Sequence, residues 1–386
     1  MIRNTYRLRL PGPTAVPERV RQAIARPVLS HRGPEFTGLY DRVIEMLQFI
    51  LGTRHPVLLF ASSGTGMMEA SLVNILAPGE RVLVCVNGQF GERYAQIAQA
   101  LGAVVDTIDV PWGRPIDPAD VERRLDAVDY RAVVLVHNES STGVVADLEA
   151  IGGVVRQKPA LLVVDSVSGL GGITMRQDHW GVDIVVSASQ KALMCPPGIG
   201  IASVSRKAWE VVRREDRLPR YYWDFRKAVT DADKSEPAFT PPVSLIAGLY
   251  EALKMISDEG IAQVVARHDK LSSALRAGCN ALGFATFAEE GAALSGTVVV
   301  LKMPERFDGN ALIRQLYQHG TVVAGARNKL SGKVIRIGTM GSLNEGDILT
   351  DLEHLSQSIE ELGWPKREPG LALAAAASKI GTAHGR

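Results

Sequence analysis

Short apolar runs punctuate this chain at residues 57–60, 81–86, 103–108, 132–136, 161–165, 183–186 and 200–204. Their length predicts strands, and the unbroken ones read as buried on both faces. Segments with apolar residues at helical spacing lie among and after them, at about 37–51, 67–76, 92–101, 117–125 and 206–216. Such alternation predicts an α/β domain whose sheet is covered by helices. From 243 onward, helices at about 243–257, 261–282, 308–319 and 344–362 alternate with strands at 297–302 and 333–337, which predicts a smaller α/β domain. The expected division is an extended arm (1–15), a large domain (16–257), a small domain (258–363) and a tail (364–386). Residues 218–242 follow neither period, and an irregular stretch of that length is usually functional or interfacial. The alanine-rich run of the tail, 371–377, fits a loose helix or disorder.

Composition narrows the classes. A chain of 386 residues, 46% hydrophobic, can bury a large core and favours two domains over one. The net charge of +1 and the lack of a long basic run exclude nucleic acid or an anionic membrane as the main partner. Cys85, Cys195 and Cys279 are widely spaced, with no metal-ligand pattern, and suit a reducing compartment. No apolar run is long enough to span a membrane, and the N-terminus lacks a signal-peptide core, so a soluble cytoplasmic protein is expected.

The candidate chemistry centres on residues 161–191. Leu161-Leu162-Val163-Val164 ends in Asp165, and the next strand runs out into Ser187-Ala188-Ser189-Gln190-Lys191. Polar strand ends of an open α/β sheet emerge where such sheets hold ligands. One carboxylate and one lysine are thereby delivered to the same crevice. A desolvated lysine can attack a carbonyl near neutral pH, and a fixed carboxylate can keep a pyridine nitrogen protonated. Separately, each residue reads as well as a surface lysine or a helix-capping aspartate. Ala61-Ser62-Ser63-Gly64-Thr65-Gly66 enters a helix and suits either a plain cap or a phosphate, while its glycine spacing does not give a dinucleotide fingerprint. The loop 137–143 follows a buried strand and suits a ligand, but His137 has no second metal ligand at a useful spacing. Arg336 interrupts an apolar strand, where it serves either a structural ion pair or a carboxylate ligand.

Asp165, the Ser189-Gln190-Lys191 segment and Pro196-Pro197-Gly198 together resemble the class V, fold type I pyridoxal-phosphate aminotransferases, in the group of alanine–glyoxylate and serine–pyruvate transaminases. The resemblance runs from Pro11-Gly12-Pro13 to about Trp364. It implies a large domain with a mostly parallel seven-stranded sheet, 200–204 being its antiparallel strand, and a smaller C-terminal α/β domain. It implies pyridoxal 5'-phosphate bound through Lys191, its ring nitrogen held by Asp165 and its ring between Phe90 and Val167. Ser63, Gly64 and Thr65 then cradle the phosphate, Gln190 flanks the lysine, and Ser140 contacts the ring hydroxyl and substrate. Arg336 takes the substrate carboxylate, and the Gly12 arm and the 30–36 loop lie at the mouth. Thr240 reaches the cofactor phosphate of a partner subunit, which implies a homodimer with its site at the interface. Two positions depart from the family: Phe90, where several relatives carry tryptophan, and Pro237, where some carry tyrosine. Small amino acids (alanine or serine) and 2-oxo acids (glyoxylate or pyruvate) are the implied substrates. Transaminases of 2-aminoethylphosphonate, pyridoxamine or ureidoglycine, and cysteine desulfurases, share the fold and remain open.

Overall fold

The computed structural model describes residues 6–214, 218–232, 234–305, 307–326, 328–365 and 368–381. Among them the apolar runs pair into one seven-stranded sheet. Its spatial order is Val57–Ser62, Gly198–Val204, Ile184–Ala188, Leu161–Asp165, Ala132–Val136, Arg81–Val86 and Val104–Asp109. Neighbours are parallel except at Gly198–Val204, which runs antiparallel to both of its partners. Both faces are covered, as the unbroken apolar runs require. Leu162 and Val164 enter one apolar cluster while Leu161 and Val163 enter another on the opposite face. The helices Pro34–Leu51 and Val243–Glu259 contribute to the first cluster, and Gly64–Val73 and Gln89–Ala100 to the second.

A second, antiparallel sheet has the order Ala285–Thr286, Val298–Lys302, Val334–Gly338, Ala324–Gly325. It shares a third cluster with the helices Ile261–Ala281, Gly309–Gln318 and Glu345–Glu361. The N-terminal arm is extended, as its prolines dictate, and it docks on this half of the molecule. Arg7–Leu8 pairs in parallel with Thr321–Val322, and Gly338 N–H donates to the Arg9 carbonyl at 2.7 Å. Arg9 is buried, with Nε 2.6 Å from Asp351 and Nη2 2.8 Å from Asp347. Burying these charges is tolerable because both are paired.

Several elements differ from expectation. Helices start earlier than the periodicity suggested: at Gly64 rather than 67, at Gln89 rather than 92, and at Pro34 rather than 37. First-turn positions tolerate glycine and proline because their N–H groups have no intrahelical partner, so loop-like composition concealed them. The 218–242 stretch is not wholly irregular: Phe225–Ala232 is a helix, and Trp223 and Phe225 pack on Phe60 with ring centroids at 5.7 and 5.9 Å. The alanine-rich tail forms the helix Pro369–Gly381. Its Ala372 and Ala376, four residues apart on one face, are buried, and Gly278 of the helix Ile261–Ala281 leaves room for the Ala372 carbonyl. No described helix is long and apolar enough to cross a membrane.

Candidate active site

Asp165 ends its strand in register with Val136 on one side and Val186 on the other, so its carboxylate emerges at the polar edge of the sheet. Lys191 follows the end of the neighbouring strand, Ile184–Ala188. Both line one cavity of about 250 Å³, together with Ser63, Gly64, Thr65, Phe90, Ser140, Val167 and Gln190. The cavity thus gathers nine residues that sequence reasoning had singled out.

The electrostatics follow from burial. Asp165 is 3% exposed, and desolvation raises its carboxyl to about 6 although the Val167 N–H donates to Oδ1 at 2.7 Å. Desolvation lowers Lys191 to about 8, and the cations Arg336 and Arg93 push in the same direction. At neutral pH the carboxylate is therefore largely ionised and a usable fraction of the amine is neutral. Lys191 Nζ donates to the Pro11 carbonyl. Gly12, next to it, has φ +112°, and a Cβ there would stand 2.4 Å from the lysine's Cδ and Nζ. The arm so closes over the amine, and glycine is the residue that permits it.

Ser63 caps the helix Gly64–Val73, its Oγ accepting from Gly66 N–H. The opening turn, with the hydroxyl of Thr65, faces the cavity and suits an anion. A Cβ on Gly64 would press on Val167 at 3.0 Å, so a side chain there would narrow the site. Gln190 Oε1 and Asn138 Oδ1 are buried without a hydrogen-bond partner among the described residues. Two orphaned acceptors, an anion-accepting turn, a desolvated amine and a carboxylate around one cavity fit pyridoxal 5'-phosphate.

Other expected residues fall elsewhere. Arg336 stands behind the cavity, not on its wall. Its Nε and Nη2 donate to the Gly325 carbonyl at 3.0 and 2.8 Å, and Nη1 to the Ser140 carbonyl at 3.3 Å. Thr240 is exposed and lines a separate pocket with Tyr222 and Phe239. The 30–36 loop does not line the cavity either, its end being the first turn of a helix. Phe90 lies on the wall but is half-buried in a helical first turn, not displayed from a loop.

Two contributors were missed or undervalued. Glu139, buried, accepts from the Phe90 and Gly91 N–H groups at 3.0 and 3.2 Å and from the Ser141 N–H and Oγ. It caps from a distance the helix that carries Phe90. Gly88 signals this, since a Cβ there would meet Glu139 Cγ at 2.3 Å. Arg93 also lines the cavity, and its spacing of three from Phe90, one helical turn, was the available clue. His137, by contrast, is structural: burial lowers it to about 4, and Nδ1 lies 2.9 Å from Ser166 Oγ.

Comparison with known proteins decides the family. The model described as Aminotransferase class-V matches residues 15–326. The chain belongs to the class V aminotransferase family. As a class V aminotransferase it is a transaminase dependent on pyridoxal 5'-phosphate. It is 38% identical over 381 residues to a protein of Synechococcus sp. named soluble hydrogenase, small subunit, covering 97% of this chain and 98% of that one. It is 36% identical over 386 residues to the serine–glyoxylate aminotransferase of Methylorubrum extorquens, covering 96% and 95%. Its fold matches the crystal structure of an alanine–glyoxylate aminotransferase from Nostoc sp. with a TM-score of 0.89 and 32% identity, over 93% and 96% of the two chains.

Proposed function

We propose that this aminotransferase moves the amino group of a small amino acid, alanine or serine, to glyoxylate or pyruvate. The observation that carries the transaminase chemistry is the buried pair of Asp165 and Lys191 at adjacent strand ends, lining one cavity. Alanine and serine, with glyoxylate, are the substrates named for the two aminotransferases described above.

When bound, pyridoxal phosphate supplies an electron sink for the pair left at a substrate's Cα. The chain's own residues do the rest. Lys191 Nζ, desolvated and partly neutral, would hold the cofactor, be released from it by the substrate's amine, and as the free amine would move the proton at the substrate's Cα. Asp165 holds the proton on the pyridine nitrogen, and Phe90 and Val167 flank the ring. Ser63, Gly64 and Thr65 receive the phosphate, and Gln190 and Ser140 meet the remaining polar edge. Arg336 exchanges its bond to the Ser140 carbonyl for the substrate carboxylate, which orients the Cα–H bond. Gly12 and the Pro11 carbonyl shape the mouth and hold the amine whenever it is free of the cofactor. A homodimer follows if Thr240 reaches the partner's cofactor phosphate, for which its exposure is suited. Residues 16–257 and 258–363 are proposed as its two domains, and the three buried, unpaired cysteines fit a cytoplasmic setting.

A cysteine desulfurase needs an accessible thiol, whereas Cys195 is buried, its Sγ donates to the Leu245 carbonyl, and burial pushes it up to about 12. The test is a panel of single donors (alanine, serine, aspartate, 2-aminoethylphosphonate, pyridoxamine) with glyoxylate or pyruvate. Fastest turnover with alanine or serine, with parallel double-reciprocal plots, supports the reading. Turnover confined to any other donor overturns it.

A further inference from the structure

Among the described residues, the cavity wall carries two cationic side chains, Lys191 and Arg93. They do different work. Lys191 sits against the Pro11 carbonyl and must give up its proton to react. Arg93 projects one turn beyond Phe90 on the helix Gln89–Ala100. Its guanidinium carbon is 4.7 Å from the Phe90 ring centroid, and Nη1 donates to Thr65 Oγ1 at 3.0 Å. No salt bridge ties Arg93 to a carboxylate among the described residues, and the carboxylate that feels its charge is Asp165, across the same cavity.

A phosphate monoester brings about −1.5 to −2 charges into the site at neutral pH. The opening turn of the helix Gly64–Val73 answers with roughly half a positive charge. A buried anion left so far from balance is costly. We propose that Arg93 is the cofactor-phosphate cation, completing the cradle formed by Ser63, Gly64 and Thr65. A guanidinium stays protonated across the working range and grips phosphate oxygens with two parallel N–H groups. By donating to Thr65 Oγ1, Arg93 leaves the threonine's own hydroxyl proton free for a phosphate oxygen. Stacking on Phe90 fixes the guanidinium plane and couples the phosphate end of the site to the ring end. Sequence reasoning assigned the phosphate to the 63–65 turn and to Thr240 across the subunit interface, with no cation.

This inference rests on the cofactor occupying the cavity, and the test separates the two. Cofactor-free wild type, Arg93→Gln and Arg93→Lys are titrated with pyridoxal 5'-phosphate and with pyridoxal, which lacks the phosphate, and binding is read from absorption. Arg93→Gln should weaken pyridoxal phosphate roughly 10- to 100-fold, the range for a charged hydrogen-bonded partner, and leave pyridoxal unchanged. Arg93→Lys should fall between. Equal weakening of both ligands would reduce Arg93 to a support for Phe90 and overturn the proposal, as would no weakening of either. Wild type that binds neither ligand would instead remove the cofactor reading on which the proposal stands.

Discussion

The amine of Lys191 donates to the carbonyl of Pro11, a residue 180 positions earlier in the chain. The arm therefore forms one wall of the lysine's environment. Gly12→Ala would place a Cβ 2.4 Å from the lysine side chain, at φ +112° where L side chains are strained. The expected outcome is a variant destabilised by roughly 1–3 kcal/mol with a larger loss in turnover. Thermal melting and single-donor kinetics check both parts; unchanged kcat would contradict the wall.

Asp165 gives a pH-dependent test. Its folded-state carboxyl stands at about 6 against 3.8 for an ordinary aspartate, because it is desolvated. The fold therefore holds this proton more tightly than the unfolded chain does. The resulting stabilisation is complete below 3.8 and lost as the pH rises through about 6. Above that window the ionised group costs the cofactor-free fold up to roughly 3 kcal/mol. Asp165→Asn, which keeps an acceptor for the Val167 N–H, should melt higher than wild type at pH 7 and gain nothing at pH 3. Turnover should fall roughly 100-fold, as for loss of a charge-stabilising group. A melting difference that ignores pH would refute the assignment.

Arg336→Lys keeps the charge but loses the planar fork. The Michaelis constant for the amino acid should rise roughly 10- to 100-fold, with a smaller change in kcat. Steady-state kinetics across donors decide this. A lower melting temperature with an unchanged Michaelis constant would make Arg336 a structural tie between Gly325 and Ser140 and nothing more.

Glu139→Ala strips the acceptor from the Phe90, Gly91 and Ser141 N–H groups. Each orphaned buried donor costs about 1–3 kcal/mol, so a drop of several degrees in melting temperature is expected. Glu139→Gln should recover part of it. If alanine is tolerated, the glutamate does not hold the helix that carries Phe90.

The sheet and its chemical edge were legible because buried parallel strands leave unbroken apolar runs, and the residues ending them are conspicuous. Asp165 and Lys191 stand out for that reason. Helix starts were obscured where glycine and proline occupy first turns, as at Gly64 and Pro34. Arg93 was missed because a charged residue on an amphipathic helix looks like solvent-facing surface; only the fold shows that its face is the cavity. For the alanine tail the sequence left helix and disorder open; the helix forms, and the packing that settles it, burial of Ala372 and Ala376 beside Gly278, comes from residues distant in sequence. Arg336 was visible as an anomaly in its strand, but its ties to Gly325 and Ser140 come from pairings distant in sequence.

The docking of Arg7–Leu8 beside Thr321–Val322, fastened by Arg9 to Asp347 and Asp351, also sets an order of events during synthesis. Arg7, Leu8 and Arg9 have no seat until Thr321, Val322, Asp347 and Asp351 have emerged. A nascent chain stalled before residue 320 would hold a finished central sheet with the wall beside Lys191 still open. Competence to seal the lysine's pocket is thus withheld until translation is nearly over, and an N-terminal fusion would burden the step that completes it.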